Sequence, residues 1–557
     1  MTTYQQVNLE PAGAIPSKQR YLFPLLIVGI FELLYLLMVA LSPFPGLHLS
    51  DTPLVKAWPW TLLPSHVLAG ILQPFMQASL RHELFSPMLL GLTFIGLTAT
   101  YLWAIIAALR MQRSGAGAKA DYRWLVFLLA SVLLFGLTLL FQPLLLSDDV
   151  FTHIFSGRLL VIYGVDPLNT APRQFPHDPY LQWVLSGRDA PNIFGPLWLC
   201  IAALLASISN YPPTSLLLFK GTILLIDLVN CLLIWKILAQ MAPERKLLGT
   251  LLYAWNPLVL IELVGNGHNE GVLICILLIT TWFYMQNQII WKICAFITLG
   301  LAISTNLVGL LLAPFYLWFD VRKEHNIGQL FWKLSWRTTL VLIPALLVFF
   351  PFWRGASTFF AVTSAIDMEH FVHSPVSILA DPMHSLFQSA ANLLHFPALV
   401  PPSVAADITL RASATFIFVL LYMHLLSQVR HASRRGRSAS DQQGIWELDI
   451  LLSSCSIAVF WYMLLVSGWF WPWYLLWMLW IVMLRRFDTF TSAMLLLSCT
   501  ALFIYPFVGF TRGPIAKYQT ALIFGLPLIY LIVANMKQKH IERIAHVYEQ
   551  RSHTAQD

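Results

Sequence analysis

Two adjacent acids, Asp148 and Asp149, stand directly after the apolar run 124–146 and open a polar insert that lasts until Phe194-Gly195-Pro196. Paired carboxylates at the end of an apolar segment repel one another, and partial burial raises the pKa of at least one of them. A carboxylate so placed can take the proton from a hydroxyl as that hydroxyl attacks an activated carbon. The same pair would serve equally as solvated interface acids, or as the N-cap of a helix beginning at Val150.

Other groups with chemistry to offer are spread along the chain. Arg158 follows nine residues after Asp149, with Arg173 and Arg188 in the same insert. Their planar forks suit a phosphate, and equally a salt bridge to Asp149 or to lipid headgroups. His268, Asn269 and Glu270 lie in the glycine-flanked turn Gly265-Asn266-Gly267-His268-Asn269-Glu270, where glycine permits close approach of a ligand. The segment Trp469-Phe470-Trp471-Pro472-Trp473-Tyr474 reads as an interfacial aromatic belt or as a stacking surface for a sugar face. Arg512 and Lys517 are cations on the side where cations are scarce, and an anionic lipid phosphate is their natural partner. His370 and His373 offer acid–base groups, but two histidines without a third ligand make no metal site, and none is expected.

The elements that must position these groups are apolar. Of 557 residues 58% are hydrophobic and 11% charged, against about 25% charged in a soluble domain. The expected class is all-α and polytopic in a membrane. The net charge of +7 sits mostly in short loops between apolar runs. That is the positive-inside pattern, and it argues against nucleic acid as a partner. All six cysteines lie in apolar runs without a CxxC pair, so neither disulfides nor a metal cluster are expected. The first apolar run is long enough to span and lacks a small-residue cleavage site, so no cleaved leader is expected.

Apolar runs near 21–42, 86–109, 124–146, 195–210, 216–240, 247–264, 271–288, 291–318, 338–352, 413–429, 447–467, 470–484, 490–507 and 519–536 give about 13–14 spans. Residues 1–20 and 537–557 are then cytoplasmic tails around one transmembrane domain, 21–536. Arg110, Arg113, Lys119 and Arg123 mark one inside loop, and Arg430, Arg434, Arg435 and Arg437 another. Residues 147–194 and 353–412 are then outer segments, and the active site of a multi-pass cell-membrane protein would face outside. Strict alternation puts the turn 265–270 on the cytoplasmic side. Trp255-Asn256-Pro257 breaks a flanking run, however, and a broken helix can turn back toward the outer face. The residues leave both open.

Three ordered motifs carry a resemblance. Asp149-Val150, Gly157-Arg158, Gly164-Val165-Asp166-Pro167 and Phe194-Gly195-Pro196-Leu197 resemble the first outer loop of glycosyltransferases of the C superfamily. Trp255-Asn256-Pro257-Leu258 through Glu270 is similar to a region of the polyprenol-phosphate-mannose-dependent α-mannosyltransferases of the lipomannan-elongating branch. Trp471-Pro472-Trp473-Tyr474-Leu475-Leu476-Trp477 looks like a third segment of that branch. The sequence departs from the pattern at Trp471, Glu270, Phe194 and His153, where Gln, Asp, Tyr and Tyr are usual.

The resemblance implies an inverting transfer of a sugar, with mannose expected, from a polyprenyl-phosphate donor to a glycolipid or glycan acceptor. An outer-loop Asp is the general base. Asp149 aligns with it better than Asp148, which becomes an orienting acid. Substrate binding is expected from Arg158, Asp178, His268, Asn269, Glu270, His373, Trp471, Tyr474, Arg512 and Lys517. No cofactor is required. The reading from another class is a lipid-carrier flippase or polytopic transporter, which calls for ionisable groups within spans and repeated halves. Glu32, Asp227 and Glu262 are the main ionisable residues inside apolar runs, and no repeat is visible.

Overall fold

The computed structural model describes residues 19–41, 63–64, 66–68, 70, 82–115, 117, 120–140, 142, 145–185, 187–191, 194–286, 288–358, 373–394, 400–431, 440–510 and 514–554. These residues are mostly helical with no strand among them; one isolated bridge joins His373 to Trp469. In chain order the longer helices are α1 (Gln19–Leu41), α2 (His82–Arg113), α3 (Tyr122–Leu140), α4 (Asp149–Val161), α5 (Pro196–Ile208), α6 (Pro212–Met241), α7 (Lys246–Ala254) and α8 (Pro257–Leu260). They continue with α9 (Glu270–Tyr284), α10 (Ile289–Thr305), α11 (Val308–Asp320), α12 (Ile327–Phe349) and α13 (Ala380–Leu394). The last five are α14 (Pro402–Arg430), α15 (Ser440–Leu465), α16 (Leu476–Leu484), α17 (Thr489–Ala501) and α18 (Pro514–Thr554).

Nine helices among the described residues are long and apolar enough to cross a membrane. The pair Pro243–Ala254 and Pro257–Gly265, bent by 51°, is apolar enough to bring the number to ten when taken as one broken span. The fold is that of a polytopic membrane protein. Two faces follow from composition: one carries Arg110, Arg113, Arg322, Lys333 and Arg430, the other Asp148 and Asp149. On the basic face Arg322 pairs with Glu447, Lys333 with Glu324, and Arg337 with Asp320.

Two departures from the expected spans decide where the site lies. The run near 195–210 is the 13-residue α5, and it does not cross. Its first turn abuts the end of α10, where a Cβ on Gly195 would lie 2.3 Å from the carbonyl oxygens of Ser304 and Thr305. At its other end the Asn210 carbonyl accepts from the Tyr180 hydroxyl at 3.1 Å, within the acid-face insert. The run 291–318, by contrast, is two helices, parted at Asn306. With α5 kept on the acid face, the segments between it and Asn306 run opposite to the expected direction. Against the expected 13–14 spans, nine helices among the described residues, or ten with the bent pair, are long and apolar enough to cross.

The bent pair therefore runs from the basic to the acid face. Its start touches the loop after α2: a Cβ on Gly117 would lie 2.9 Å from the Glu244 carbonyl oxygen. At its other end the Leu146 amide donates to Asn266 Oδ1 at 3.0 Å. The turn that alternation assigned to the cytoplasmic side thus lies beside the acid pair.

The bend has a local cause. Pro257 lacks an amide proton and starts α8 at a position where none is needed. Asn256 caps it, accepting from the Leu258 and Val259 amides. The Leu252 carbonyl left over by the break accepts from the Tyr101 hydroxyl at 2.5 Å. Asn256 Nδ2 reaches Tyr101 and Ser498 at 3.3 and 3.0 Å. A break inside an apolar bundle is tolerated because each freed polar group finds a partner in the protein.

Candidate active site

Beyond α8 the backbone widens into one π-helical turn, Ile261–Gly265, which carries Glu262. The chain then reverses through Gly267, whose φ of +76° is one that only glycine takes without strain. A Cβ there would lie 2.9 Å from Val150 Cγ2, so glycine also lets the turn close onto α4. π-turns inside helices cluster at functional sites, and this one sets Glu262 and His268 face to face.

His268 is the hub, 2% exposed and ringed by acids. Its Nε2 lies 3.3 Å from Glu262 Oε2, and its Nδ1 lies 3.6 Å from Asp149 Oδ2 and 4.0 Å from Glu270 Oε2. Burial alone would push the imidazole down. The three carboxylates outweigh it, Glu262 foremost, and raise His268 to about 9, so it is a cation at neutral pH. Glu262 is itself locked: Tyr505 donates to Oε1 at 2.7 Å and Asn266 Nδ2 to Oε2 at 2.8 Å.

The adjacent acids divide their work. The Leu185 amide donates to Asp148 Oδ2 at 2.8 Å, so this side chain pins the insert. It does not cap the helix; the Ser147 hydroxyl accepts from the Asp149 amide instead. Asp149 begins α4, faces His268, and keeps 24% of its side chain open. Burial holds its carboxyl above the usual range; the His268 charge pulls back, and Asp148 pushes up again. It is the member of the cluster that a ligand can reach from outside.

Above His268 lies an aromatic ladder. Trp473 stacks on the imidazole with ring centres 4.4 Å apart, and Trp471 stacks on Trp473 at 5.3 Å. His373 meets Trp471 edge-on at 5.6 Å. Its backbone is held at φ +52° by the bridge to Trp469, and the Ser374 hydroxyl donates to the Ser467 carbonyl at 2.8 Å. Tyr474 stacks on Trp477 at 4.2 Å. Of the expected binding residues, His268, Asn269, Glu270, His373, Trp471 and Tyr474 thus belong to one neighbourhood with Asp149.

Arg158 and Asp178 form a separate knot at the other end of α4, about 13 Å along the helix from Asp149 by its 1.5 Å rise. Arg158 Nε and Nη2 donate to Asp178 Oδ2 at 3.1 and 2.8 Å, and Nη1 donates to Asn210 at 3.1 Å. The guanidinium also covers the Tyr180 ring at 4.2 Å, and Tyr163 donates to the same carboxylate. Arg512 and the Lys517 side chain lie outside the described residues.

Sequence reasoning missed the parts played by Glu262, Asn266, Trp473 and Tyr505. Glu262 carried a signal, being an ionisable residue inside an apolar run; Tyr505 carried none. Lys220, a buried cation in α6, donates to the Leu139 and Gln142 carbonyls at 3.2 and 2.8 Å and so caps α3. Two departures from the resembled pattern, His153 and Phe194, prove to touch, with ring centres 4.3 Å apart. The Trp198 indole donates to His153 Nδ1 at 3.0 Å. Among the described residues no group of His, Cys, Asp or Glu is arranged to hold a metal ion.

Residues 58–322 match the family model described as alpha-(1->6)-mannopyranosyltransferase, N-terminal domain. No curated protein and no solved structure matches the chain. The matched stretch takes in the acid pair, the bent helix and the glycine-flanked turn, and so supports a mannosyltransferase. The tryptophan ladder and Tyr505 lie beyond it.

Proposed function

We propose that the protein is a membrane glycosyltransferase that moves mannose from a polyprenyl-phosphate donor to a glycolipid or glycan acceptor. The observation that carries this reading is the meeting of Asp149 with the turn around His268, 119 residues later in the chain. Both lie within the stretch that matches the mannosyltransferase family model.

In the proposed reaction the acceptor hydroxyl attacks the anomeric carbon from the face opposite the leaving group. Its oxygen forms the new C–O bond while the bond from that carbon to the phosphate oxygen breaks. The electron pair departs with the polyprenyl phosphate, and the hydroxyl proton passes to Asp149. One base suffices for inversion, and positive groups can steady the departing phosphate. The indole of Trp471, at the outer end of the aromatic ladder, offers a flat apolar surface suited to a sugar ring.

The site faces outside the cell membrane in this reading, because the opposite face bears the cationic loops. No nucleotide sugar is expected there, so a lipid carrier is the fitting activated donor. The direct test incubates the purified protein with radiolabelled polyprenyl-phosphate mannose, polyprenyl-phosphate glucose and nucleotide-mannose, with glycolipid acceptors. Transfer from the mannose lipid alone is expected. Movement of the lipid carrier across vesicles without sugar transfer would overturn the reading in favour of a flippase.

A further inference from the structure

We propose that Glu262, His268 and Asp149 form a positioning relay, in which Glu262 holds the His268 imidazole and the imidazole in turn holds the Asp149 carboxylate toward the substrate. The inference rests on the reading of Asp149 as the base, and it moves His268 from substrate contact to a supporting role.

Four observations carry it. The imidazole spans its two acids end to end, Nε2 at 3.3 Å from Glu262 and Nδ1 at 3.6 Å from Asp149. Exposure falls along the line, from 24% for the Asp149 side chain to 3% for His268 and 0% for Glu262. A ligand therefore meets Asp149 first, and the other two support it from behind. Glu262 is fixed by Tyr505 and Asn266, so the far end of the line cannot swing. Trp473 closes the imidazole's face.

A buried carboxylate intended as a base faces a difficulty: burial favours its protonated form. A fixed cation beside it keeps it ionised and fixes the oxygen's direction, and the carboxylate behind that cation keeps the cation charged. The groups facing His268 are Asp149 with Asp148 beside it from α4, Glu262 from the π turn and Glu270 from α9. His153 of α4 is the other imidazole close enough to be felt, and Lys220 of α6 touches the turn at Gly267. Glu270, at 4.0 Å from Nδ1, is the most distant of the three acids paired with the imidazole.

The test is the pH profile of turnover at saturating donor. The wild type should need Asp149 ionised and His268 charged, giving a bell with an alkaline limb near pH 9. His268→Gln should lose that limb and move the acidic limb up by about 1–3 pH units, the effect of removing an opposite charge within a few ångströms. Glu262→Gln should instead bring the alkaline limb down, because the imidazole loses its counter-charge. Donor KM should change less than twofold in both. A packing role alone would lower turnover evenly at all pH values and leave both limbs in place.

Melting temperature and donor binding show whether each variant folds; the wild-type profile needs no variant, and a flat alkaline side overturns the relay. Asp149→Asn separates the two levels. If it retains turnover, the base reading fails. If it is inactive while His268→Gln keeps the wild-type limbs, the relay alone fails.

Discussion

His268 and Trp473 lie face to face, their ring centres 4.4 Å apart and their planes 24° from parallel. An imidazole charged by its surroundings sits on the electron-rich face of an indole, a contact worth about 0.5–2 kcal/mol. The residue supplying the indole is 205 positions further along the chain, and it ties the α16 end of the bundle to the bent helix. Trp473→Leu should therefore cost about tenfold in kcat/KM, since 1.4 kcal/mol is a factor of ten. Trp473→Phe, which keeps a ring face, should cost less. Steady-state kinetics on the two variants checks the order.

The orientation of the bundle yields a prediction free of chemistry. Gln182 is exposed on the acid face and Ser114 on the basic face. In a cysteine-free background, Gln182→Cys should react with an impermeant thiol reagent in intact cells. Ser114→Cys should react only after the membrane is opened. The reverse pattern would turn the site toward the cytoplasm.

Much of this arrangement was legible in the sequence, and the failures have physical reasons. The apolar runs announce a polytopic helical protein because a bilayer demands long apolar segments. Alternation failed at α5 because a short apolar helix packed within the protein reads like a short span, and periodicity cannot separate the two. The run 291–318 hid two helices because a single small polar residue parts them: Asn306 ends α10 and accepts from the Val308 amide, the first of α11, at 3.0 Å. The acid pair and the glycine-flanked turn each stood out from their neighbours. Their meeting did not, because it depends on the direction of the bent helix between them. Glu262 was visible as a buried charge, whereas Tyr505 is one aromatic among many until Glu262 is seen to accept its hydroxyl.

Arg158 should behave as a structural residue. Its side chain is 6% exposed and the Asp178 side chain is closed to solvent. Arg158→Gln leaves a buried carboxylate without its cation, and breaking such a pair costs about 3–5 kcal/mol. Lower melting temperature and yield are expected, with donor affinity in the folded fraction unchanged. Loss of donor affinity at wild-type stability would restore the phosphate-binding role that the residue type suggests.

Two glycines should resist even alanine. At Gly195 a Cβ would meet two backbone carbonyls at 2.3 Å, which cannot rotate away. At Gly267 it would meet a valine methyl at 2.9 Å, and the positive φ adds about 1–3 kcal/mol of strain. Gly195→Ala should be the more damaging to thermal stability in detergent, because α5 must move off α10. Gly267→Ala should fold more readily but lose turnover out of proportion, because it lifts the His268 turn away from α4. Melting curves and kcat measured together separate the two effects.

The adjacent acids give the sharpest test of the chemistry. Asp149→Asn keeps the size and much of the hydrogen-bonding shape but removes the proton acceptor and its charge. General-base assistance is worth about 10²–10⁴-fold in rate, so turnover should fall by that factor while donor binding survives. Asp148→Asn should lose far less, because an amide oxygen can still accept from the Leu185 amide that Asp148 now holds. Asp148→Ala removes that acceptor and should free the insert around Leu185, showing as easier proteolysis of 179–191 and a raised acceptor KM. The order follows from geometry: Asp149 has an open edge beside a buried cation, and Asp148 has a backbone amide to keep. An inactive Asp148→Asn beside an active Asp149→Asn would exchange the two roles and leave the mechanism standing. Full turnover in both single variants and in the double variant would remove the acid pair from the reaction.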